Sequence, residues 1–296
     1  MPPKLKLSLQ PTTARPPSWW FALMSGKPFE LISKPEKSHD LLKMTYRAKL
    51  EYRIAASNSN LCVGLDPRPD IIEGDIGDFL IRVIEETAPF TAAYKPNIAY
   101  FEAMGPDGYR ALERVFEKIP ADIPTVLDAK RGDIGETQKY YAKACFERWG
   151  ADSVSLSPYL GAETLDPVLE FVDRGLYLLG ITSNPGSADL QTRETTEGKF
   201  VYEFVNAMTE KSEQIGLVVG LTNAAEQVLA RISDVPLLIP GLGAQGGDLA
   251  ALAGQNRQAP ILVNASRGVL FAEPELSFAE KAERYVKQIS EALGTP

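Results

Sequence analysis

Two aspartates and a lysine lie close together in the segment LDAKRGDIGET, residues 127–137. Asp128, Lys130 and Asp133 lie within six positions of one another, directly after an apolar run. Side chains two positions apart on a β-strand point to the same side, so Asp128 and Lys130 should face one common point if the run is a strand. Gly132 permits a sharp turn before Asp133. The spacing therefore predicts a lysine ammonium group kept charged between two carboxylates.

The same residues could instead form a salt bridge at a strand end, which is common and contributes little at a surface. A second pair of opposite charges favours chemistry. Asp66 in GLDPRP and Lys95 in YKPN also follow apolar runs, although alone each segment reads as a turn or a loop start. Together the two pairs predict that two aspartates and two lysines meet at one place.

Two loops near the C-terminus have the composition of anion-binding sites. PGLGAQGGD (240–248) is rich in glycine, whose missing side chain lets backbone N–H groups approach an anion. Its glycines are Gly241, Gly243, Gly246 and Gly247. NASRG (264–268) adds Arg267, whose planar guanidinium fits phosphate oxygens. Either loop alone could be an ordinary turn, but the pair predicts a phosphorylated substrate.

The predicted strands and helices alternate along the chain. Short apolar runs rich in β-branched residues are separated by helical stretches, which predicts parallel strands covered by helices. The predicted strands are 61–66, 91–97, 124–130, 152–158, 176–183, 216–222, 236–241 and 260–266. Eight such units favour a closed (β/α)8 TIM barrel over an open doubly wound sheet, and no GxGxxG follows the first strand. Chemistry in such barrels lies at the C-terminal ends of the strands, where the charged residues fall.

Three further segments carry structural predictions. ETQKYYAKACFERWG reads as one helix, with apolar residues every four positions from Tyr141 to Trp149 and Gly150 as its end. MTYRAKLEYRIAAS, from Met44, reads as the first helix of the folded unit. NPGSADLQTRETTEGK (184–199) is long and polar, which predicts either a mobile lid or a disordered excursion.

Composition limits the possible partners. The chain has 296 residues, is 44% hydrophobic and carries a formal net charge of −8, so it offers no overall basic field for nucleic acid or an anionic membrane surface. A small-molecule partner is expected, and the absence of an apolar run of about 18 residues predicts no membrane span. The only cysteines are Cys62 and Cys145, without a CxxC pair, which fits a reducing cytoplasm. A single histidine, His39, excludes a His-rich metal site.

Residues 1–43 differ from the rest of the chain. They are rich in proline, carry seven Lys or Arg against three Asp or Glu, and show no periodicity of a helix or a strand. They also lack the compact apolar block of a secretory signal. We expect a poorly ordered N-terminal extension over 1–43 and a barrel domain over 44–296. Met44 is the expected natural start, with the upstream residues an artefact of gene calling.

The motifs together resemble a known family. Residues 44–290 contain, in this order, LCVGLDPRP, KPNIAYFEAMG, LDAKRGDIGET, SPYLG, TSNPGS, VVGLTN, PGLGAQGGD and NASRG. This set resembles orotidine 5′-phosphate decarboxylase, in particular its bacterial type 2 branch. The resemblance implies a (β/α)8 barrel that acts as a homodimer with active sites at the interface. It also implies conversion of orotidine monophosphate to uridine monophosphate and CO2, in pyrimidine biosynthesis, with no metal or cofactor.

The resemblance also implies roles for individual residues. Asp66 and Lys95 would hold the ribose hydroxyls and the charge network, Asp128 would lie against the substrate carboxylate, and Lys130 would deliver a proton to C6. Asp133 and Thr137 would reach into the neighbouring subunit's site. Ser183 would recognise the pyrimidine. The remaining substrate-binding residues, which would close over the base and phosphate, are Pro240, Gln245, Gly246 and Arg267.

This chemistry suits the residues. Loss of CO2 from C6 of a pyrimidine leaves an in-plane carbanion that the ring delocalises poorly, so the site must stabilise localised negative charge. A fixed ammonium group does so, and Lys130 would also be the nearest proton source. Gripping the distant phosphate can supply binding energy that closes the lid and orients the base.

Three alternatives remain open at the level of sequence. A sugar-phosphate decarboxylase or aldolase of the same superfamily with Mg²⁺ would need further carboxylates near Asp128, and none stands at an evident strand end. A Schiff-base aldolase using Lys95 or Lys130 is disfavoured because adjacent carboxylates keep the amine protonated. The third alternative is a catalytically silent barrel that acts as a binding protein.

Overall fold

The computed structural model describes residues 44–223, 226–241, 249–252 and 257–294. Its strands are β1 (Leu61–Leu65), β2 (Ala93–Pro96), β3 (Val126–Arg131), β4 (Ser153–Leu156), β5 (Gly175–Ile181), β6 (Ile215–Val219), β7 (Leu237–Ile239) and β8 (Ile261–Ala265). Its α-helices are α1 (Tyr46–Ser57), α2 (Ile76–Thr87), α3 (Ile98–Glu102), α4 (Gly105–Lys118), α5 (Gly135–Lys143), α6 (Asp166–Leu169), α7 (Val201–Ala207), α8 (Glu226–Leu229), α9 (Arg267–Leu270) and α10 (Phe278–Leu293). Each of the eight predicted strands is present, so that part of the sequence prediction is confirmed.

The strands form one parallel sheet that closes on itself. Their order is β2-β1-β8-β7-β6-β5-β4-β3, and each neighbouring pair in this order runs parallel. Single bridges from Tyr94 to Thr125 and from Asn97 to Asp128 join the two ends. A backbone hydrogen bond of 3.0 Å from Tyr94 N–H to Pro124 O strengthens this seam. The architecture is therefore the predicted (β/α)8 barrel.

Alternation of side chains along each strand separates two apolar layers. On β1, Leu61, Val63 and Leu65 belong to the cluster shared with the surrounding helices, whereas Cys62 belongs to the cluster inside the barrel. This is the period of 2 that a pleated strand imposes. Because both faces are buried, the strands read as continuous apolar runs, as is typical of parallel sheets.

Helix α1 closes the N-terminal end of the barrel. Its Tyr46 and Leu50 are buried against the inner cluster, and the Tyr46 hydroxyl lies 2.9 Å from that of Tyr177 on β5. Gly175 makes this approach possible, since a Cβ there would lie 2.1 Å from the Tyr46 ring. With this end plugged, polar side chains can be presented at the opposite end, where the strands terminate.

Two predicted segments differ in detail from the structure. The helix expected to run to Trp149 is α-helical only to Lys143 and continues as one wider π-helical turn over Ala144–Arg148, after which Gly150 ends it at φ +69°. Residues 184–199 contain a 3-10 turn over Pro185–Asp189, and Glu194 forms an antiparallel bridge with Phe200 just beyond them, so the segment is not an unstructured excursion. Their function as a lid stays a prediction.

The prediction for residues 1–43 concerns a segment outside the described residues. Among the residues that the structure does describe, no helix is long and apolar enough to cross a membrane.

Candidate active site

A cavity of about 660 Å³ opens at the C-terminal end of the barrel. It is lined by residues at or just beyond the ends of β1, β2, β3, β5, β7 and β8. Most of the residues singled out from sequence line it, namely Asp66, Lys95, Asp128, Lys130, Ser183, Pro240 and Arg267. The barrel therefore brings together side chains that lie up to 201 positions apart in the chain.

Charges alternate across the ends of the first three strands. Lys95 Nζ lies 3.9 Å from Asp66 Oδ1 and 3.3 Å from Asp128 Oδ2, while Lys130 Nζ lies 2.6 Å from Asp128 Oδ1. The Lys95 side chain is 6% exposed, whereas that of Lys130 is 48% exposed. Lys95 is thus a buried cation in the cavity wall, whereas Lys130 presents its ammonium group to the cavity. The role predicted for Lys95 stays a prediction.

The electrostatics fix the charge of Asp128. Burial alone would raise the pKa of this carboxyl, but the nearby charges of Lys95 and Lys130 outweigh burial and lower it to about 2. Burial likewise opposes the charged form of Lys95, yet Asp66 and Asp128 raise its pKa above the ordinary value. Burial raises the pKa of the neighbouring Cys62 thiol to about 12, so that group stays protonated. At neutral pH the buried part of the site therefore holds ionised Asp128 and cationic Lys95.

Asp128 is also fixed by hydrogen bonds from two side chains. Ser155 Oγ on β4 donates to Asp128 Oδ1 at 2.8 Å, and Asn97 Nδ2 donates to Asp128 Oδ2 at 3.3 Å. Asn97 is held in place because its Oδ1 caps helix α3, accepting the Ala99 N–H at 3.1 Å. Each carboxylate oxygen thus meets one ammonium and one neutral donor, which leaves Asp128 little freedom to turn.

The backbone at Lys130 is strained. Its φ of +48° lies in the left-handed region that residues with a side chain seldom adopt, and the β3–β4 register shifts between Leu127 and Arg131. Ser155 Oγ accepts the Lys130 N–H at 3.0 Å, so the same hydroxyl that orients Asp128 also holds this conformation. The prediction that Asp128 and Lys130 lie on a regular strand is therefore incomplete, because the strand is irregular at Lys130. The two side chains do converge, but through an irregular strand end.

The far side of the cavity is formed by residues that follow β5. Gln191 Oε1 accepts the Thr182 N–H at 2.7 Å, and Gln191 Nε2 donates to Thr182 Oγ1 at 2.9 Å. Asn223 Nδ2 donates to the carbonyls of Thr182 and Asn184 at 2.8 and 3.0 Å. These bonds tie the polar segment 184–199 to the strand end that carries Ser183.

Four predicted residues are not part of this cavity as described. Asp133 and Thr137 do not line it; the Asp133 carboxylate accepts the Ile134 N–H at 2.8 Å, and Thr137 is exposed on α5. Gln245 and Gly246 lie outside the described residues. The roles predicted for all four remain predictions.

Sequence reasoning missed several polar residues of the site. They are Asn97, Ser155, Asn264 and Ser266. Each follows the alternation of a strand toward the inside of the barrel, two positions from another inward residue, and that signal could have found them. A single Ser or Asn at a strand end is ordinary in sequence, so residue type alone does not distinguish these four.

Within the described residues, no group of three or more His, Cys, Asp or Glu side chains could hold a metal ion. The oxygens of Asp128 are instead occupied by the four donors named above.

The protein is a (β/α)8 barrel with a chain of alternating charges, Asp–Lys–Asp–Lys, at the C-terminal ends of its strands. A family model described as orotidine 5′-phosphate decarboxylase / HUMPS family matches residues 59–282. An orotidine 5′-phosphate decarboxylase of Dehalococcoides mccartyi is 42% identical over 263 residues, covering 84% of this chain and 97% of that protein. One from Variovorax paradoxus is 42% identical over 271 residues, covering 84% and 98%. Among solved structures, the Leishmania donovani OMP decarboxylase is 34% identical with a TM-score of 0.73, covering 84% of this chain and 98% of that one.

The chain therefore belongs to the orotidine 5′-phosphate decarboxylase / HUMPS family.

Proposed function

We propose that this protein decarboxylates orotidine 5′-phosphate to uridine 5′-phosphate, using no cofactor, in pyrimidine nucleotide synthesis. The family and the names of its relatives support this activity. The observation that carries it is the pair of ammonium groups on Asp128, with Lys130 Nζ at 2.6 Å from one oxygen and exposed to the cavity. A site of this kind offers both positive charge and a proton at one point.

The chemical step follows from that geometry. The bond between C6 and the substrate carboxylate breaks, its electron pair stays on C6, and CO2 leaves. Lys130 stabilises the developing negative charge and then transfers one proton from Nζ to C6, after which solvent restores the ammonium. Because Lys130 is held by Asp128, its position requires no reorganisation during the reaction.

Asp128 has a second role in this proposal. With a pKa of about 2 it is ionised at neutral pH, and it lies in the same cavity where the substrate carboxylate must come near Lys130. Two like charges at close range raise the free energy of the bound substrate, and departure of CO2 relieves that repulsion. Lys95 limits this repulsion, because its ammonium group neutralises Asp128 Oδ2, the oxygen that does not bind Lys130.

Recognition of the substrate is assigned to the ends of the later strands. Arg267, exposed at the cavity rim after β8, would hold the phosphate, together with Gln245 and Gly246. Ser183 and Pro240 line the cavity where the base would lie. Phosphate binding far from C6 supplies the orienting energy that the chemical step itself lacks.

We further propose a homodimer with shared active sites. Asp133 and Thr137 lie outside the cavity of their own chain, and exposed Ile134 and Tyr140, at 62% and 65%, are their neighbours in sequence. Tyr159, 77% exposed after β4, adds to the apolar area near this end of the barrel. Such groups favour burial against a second copy, which would place Asp133 at that copy's Lys130. Cys62 and Cys145 are both buried free thiols, and this supports a cytoplasmic protein.

The test is direct. The purified full chain is incubated with orotidine 5′-phosphate in the presence of a chelator, and loss of the substrate's ultraviolet absorbance is followed. Formation of uridine 5′-phosphate in step with the absorbance change is expected. A correctly folded protein that gives no turnover would refute the proposed function.

A further inference from the structure

Three buried polar atoms on one wall of the cavity have no hydrogen-bond partner. They are Asp66 Oδ1, Asn264 Oδ1 and Ser266 Oγ, and all three residues line the cavity. Asn264 is only 6% exposed. Buried polar atoms in folded proteins are nearly always paired, so three orphans on the wall of one cavity indicate a ligand.

The wall is built by β1 and its neighbour β8. Asn264 is paired in register with Cys62, and Lys95 is paired with Gly64 on the other side of β1. A Cβ on Gly64 would lie 3.1 Å from Asn264 Oδ1 and 2.6 Å from Ser266 Cβ. The glycine thus leaves room for both β8 side chains beside the Asp66–Lys95 pair.

We infer that Asn264 is a substrate-binding residue that accepts a hydrogen bond from a ribose hydroxyl of the nucleotide, beside Asp66. The inference rests on the proposed function for the identity of the ligand. The orphan atoms of Asp66 and Asn264 are acceptors, so their partner is an O–H or N–H donor. An anion such as phosphate would be repelled by Asp66, and a cation is already present in Lys95, 3.9 Å from Asp66 Oδ1. A neutral hydroxyl meets both requirements.

Position along β8 also selects the sugar. Arg267, the residue assigned to the phosphate, directly follows Ser266, and Asn264 lies two residues deeper, or about 6–7 Å at the rise of a strand. In a 5′-nucleotide the ribose is the group next to the phosphate. The ribose hydroxyls therefore bind to the part of the cavity wall that lies deeper in the barrel than Arg267.

The experiment compares substrates that differ by one hydroxyl. Values of kcat/KM are measured for orotidine 5′-phosphate and for its 2′-deoxy and 3′-deoxy analogues, with the wild-type protein and with Asn264→Leu. For the hydroxyl that Asn264 binds, the wild type should lose at least about tenfold when it is removed, because buried site groups are left unpaired. Asn264→Leu should lose about tenfold on the full substrate but less than about threefold on that analogue. An equal loss on all three substrates overturns the inference.

Asn60→Leu is the matched control. Asn60 Nδ2 donates to Ile261 O at 2.8 Å, at the opposite end of the same pair of strands. This variant should keep the wild-type ratio between substrates. If Asn264→Leu does not fold, Asn264→Ala is measured, since the ratio is taken within one variant and does not depend on the amount of active protein.

Binding separates this inference from the proposed function. If the wild type does not turn over orotidine 5′-phosphate, the function is wrong, and calorimetric binding of uridine 5′-phosphate and its two deoxy forms is compared instead. Loss of discrimination in Asn264→Leu supports the hydroxyl contact without catalysis. Unchanged discrimination, or no binding of uridine 5′-phosphate by the wild type, overturns it.

Discussion

At the level of single residues, both the backbone conformation of Lys130 and the position of its ammonium group are set by the residues around it. A lysine at φ +48° is held by hydrogen bonds and ion pairs around it. Ser155 accepts its N–H and donates to the carboxylate that binds its ammonium group. One hydroxyl on β4 therefore controls both ends of the proposed proton donor.

Ser155→Ala should lower kcat by about tenfold with a change in KM below about threefold, since the lost bonds orient the reacting groups and do not bind the substrate. Steady-state kinetics give this split. Ser155→Thr keeps a hydroxyl at the same position and should recover most of kcat. A variant with unchanged kcat and a raised KM would show that Ser155 binds substrate instead.

Asp128 links the site to acid stability. Its pKa is about 2 in the folded protein against 3.8 for the ordinary group, so ionised Asp128 stabilises the fold above pH 3.8, and this contribution is lost as pH falls through about 2. Between pH 4 and 2 the free energy of unfolding of the wild type should fall more steeply than that of Asp128→Asn. The difference should be on the order of 2 kcal/mol. Urea unfolding at a series of pH values measures it, and parallel curves for the two proteins would contradict it.

At the level of secondary-structure elements, helix α1 closes the N-terminal end of the barrel through Tyr46. The helix propensities of the α1 residues do not predict how closely this ring approaches Gly175. The approach is possible because Gly175, on β5, has no side chain. Burial of Tyr46 and Leu50 in the inner cluster then anchors a helix that starts near the N-terminal edge of the described chain.

Gly175→Ala should destabilise the protein by about 2–3 kcal/mol, because a Cβ placed 2.1 Å from the Tyr46 ring forces the helix outward. Denaturant unfolding measures the loss. In a Tyr46→Leu background the same substitution should cost less, since the clashing ring is gone. Equal losses in the two backgrounds would show that the glycine matters for its backbone and not for this contact.

At the scale of the whole molecule, the site is proposed to need two chains. Lys130→Ala and Asp133→Ala should each be inactive alone. If Asp133 serves the neighbour's Lys130, equal mixing with subunit exchange should restore about a quarter of wild-type activity, since half of the dimers are mixed and one of their two sites is intact. Activity after refolding the two variants together measures it.

Lys130→Ala mixed with Asp128→Ala is the matched control. Both residues belong to one chain's site, 2.6 Å apart, so no mixed dimer has an intact site and activity should stay absent. Failure of the first mixture despite verified exchange would place Asp133 in its own chain's site.

The eight strands, the barrel and the chemical types of the residues at the strand ends can all be predicted from the amino-acid sequence. Because both faces of parallel strands are buried, the strands are mostly apolar in sequence, and charged residues such as Asp66 and Lys95 stand at or just after their C-terminal ends. Those signals are local, so they can be read without knowing which strands are neighbours.

The donors that meet on Asp128, and the polar atoms that have no hydrogen-bond partner, become known only from the folded structure. Ser155 and Asn264 are ordinary residues in sequence. Strand pairing sets Ser155 of β4 against Asp128 of β3, and Asn264 of β8 against Gly64 of β1, on the cavity wall that also carries Asp66. The strained turn at Lys130 is likewise a product of the β3–β4 register shift. Hydrogen bonds between side chains on paired strands depend on distances of a few tenths of an ångström, and spacing along the chain does not encode them.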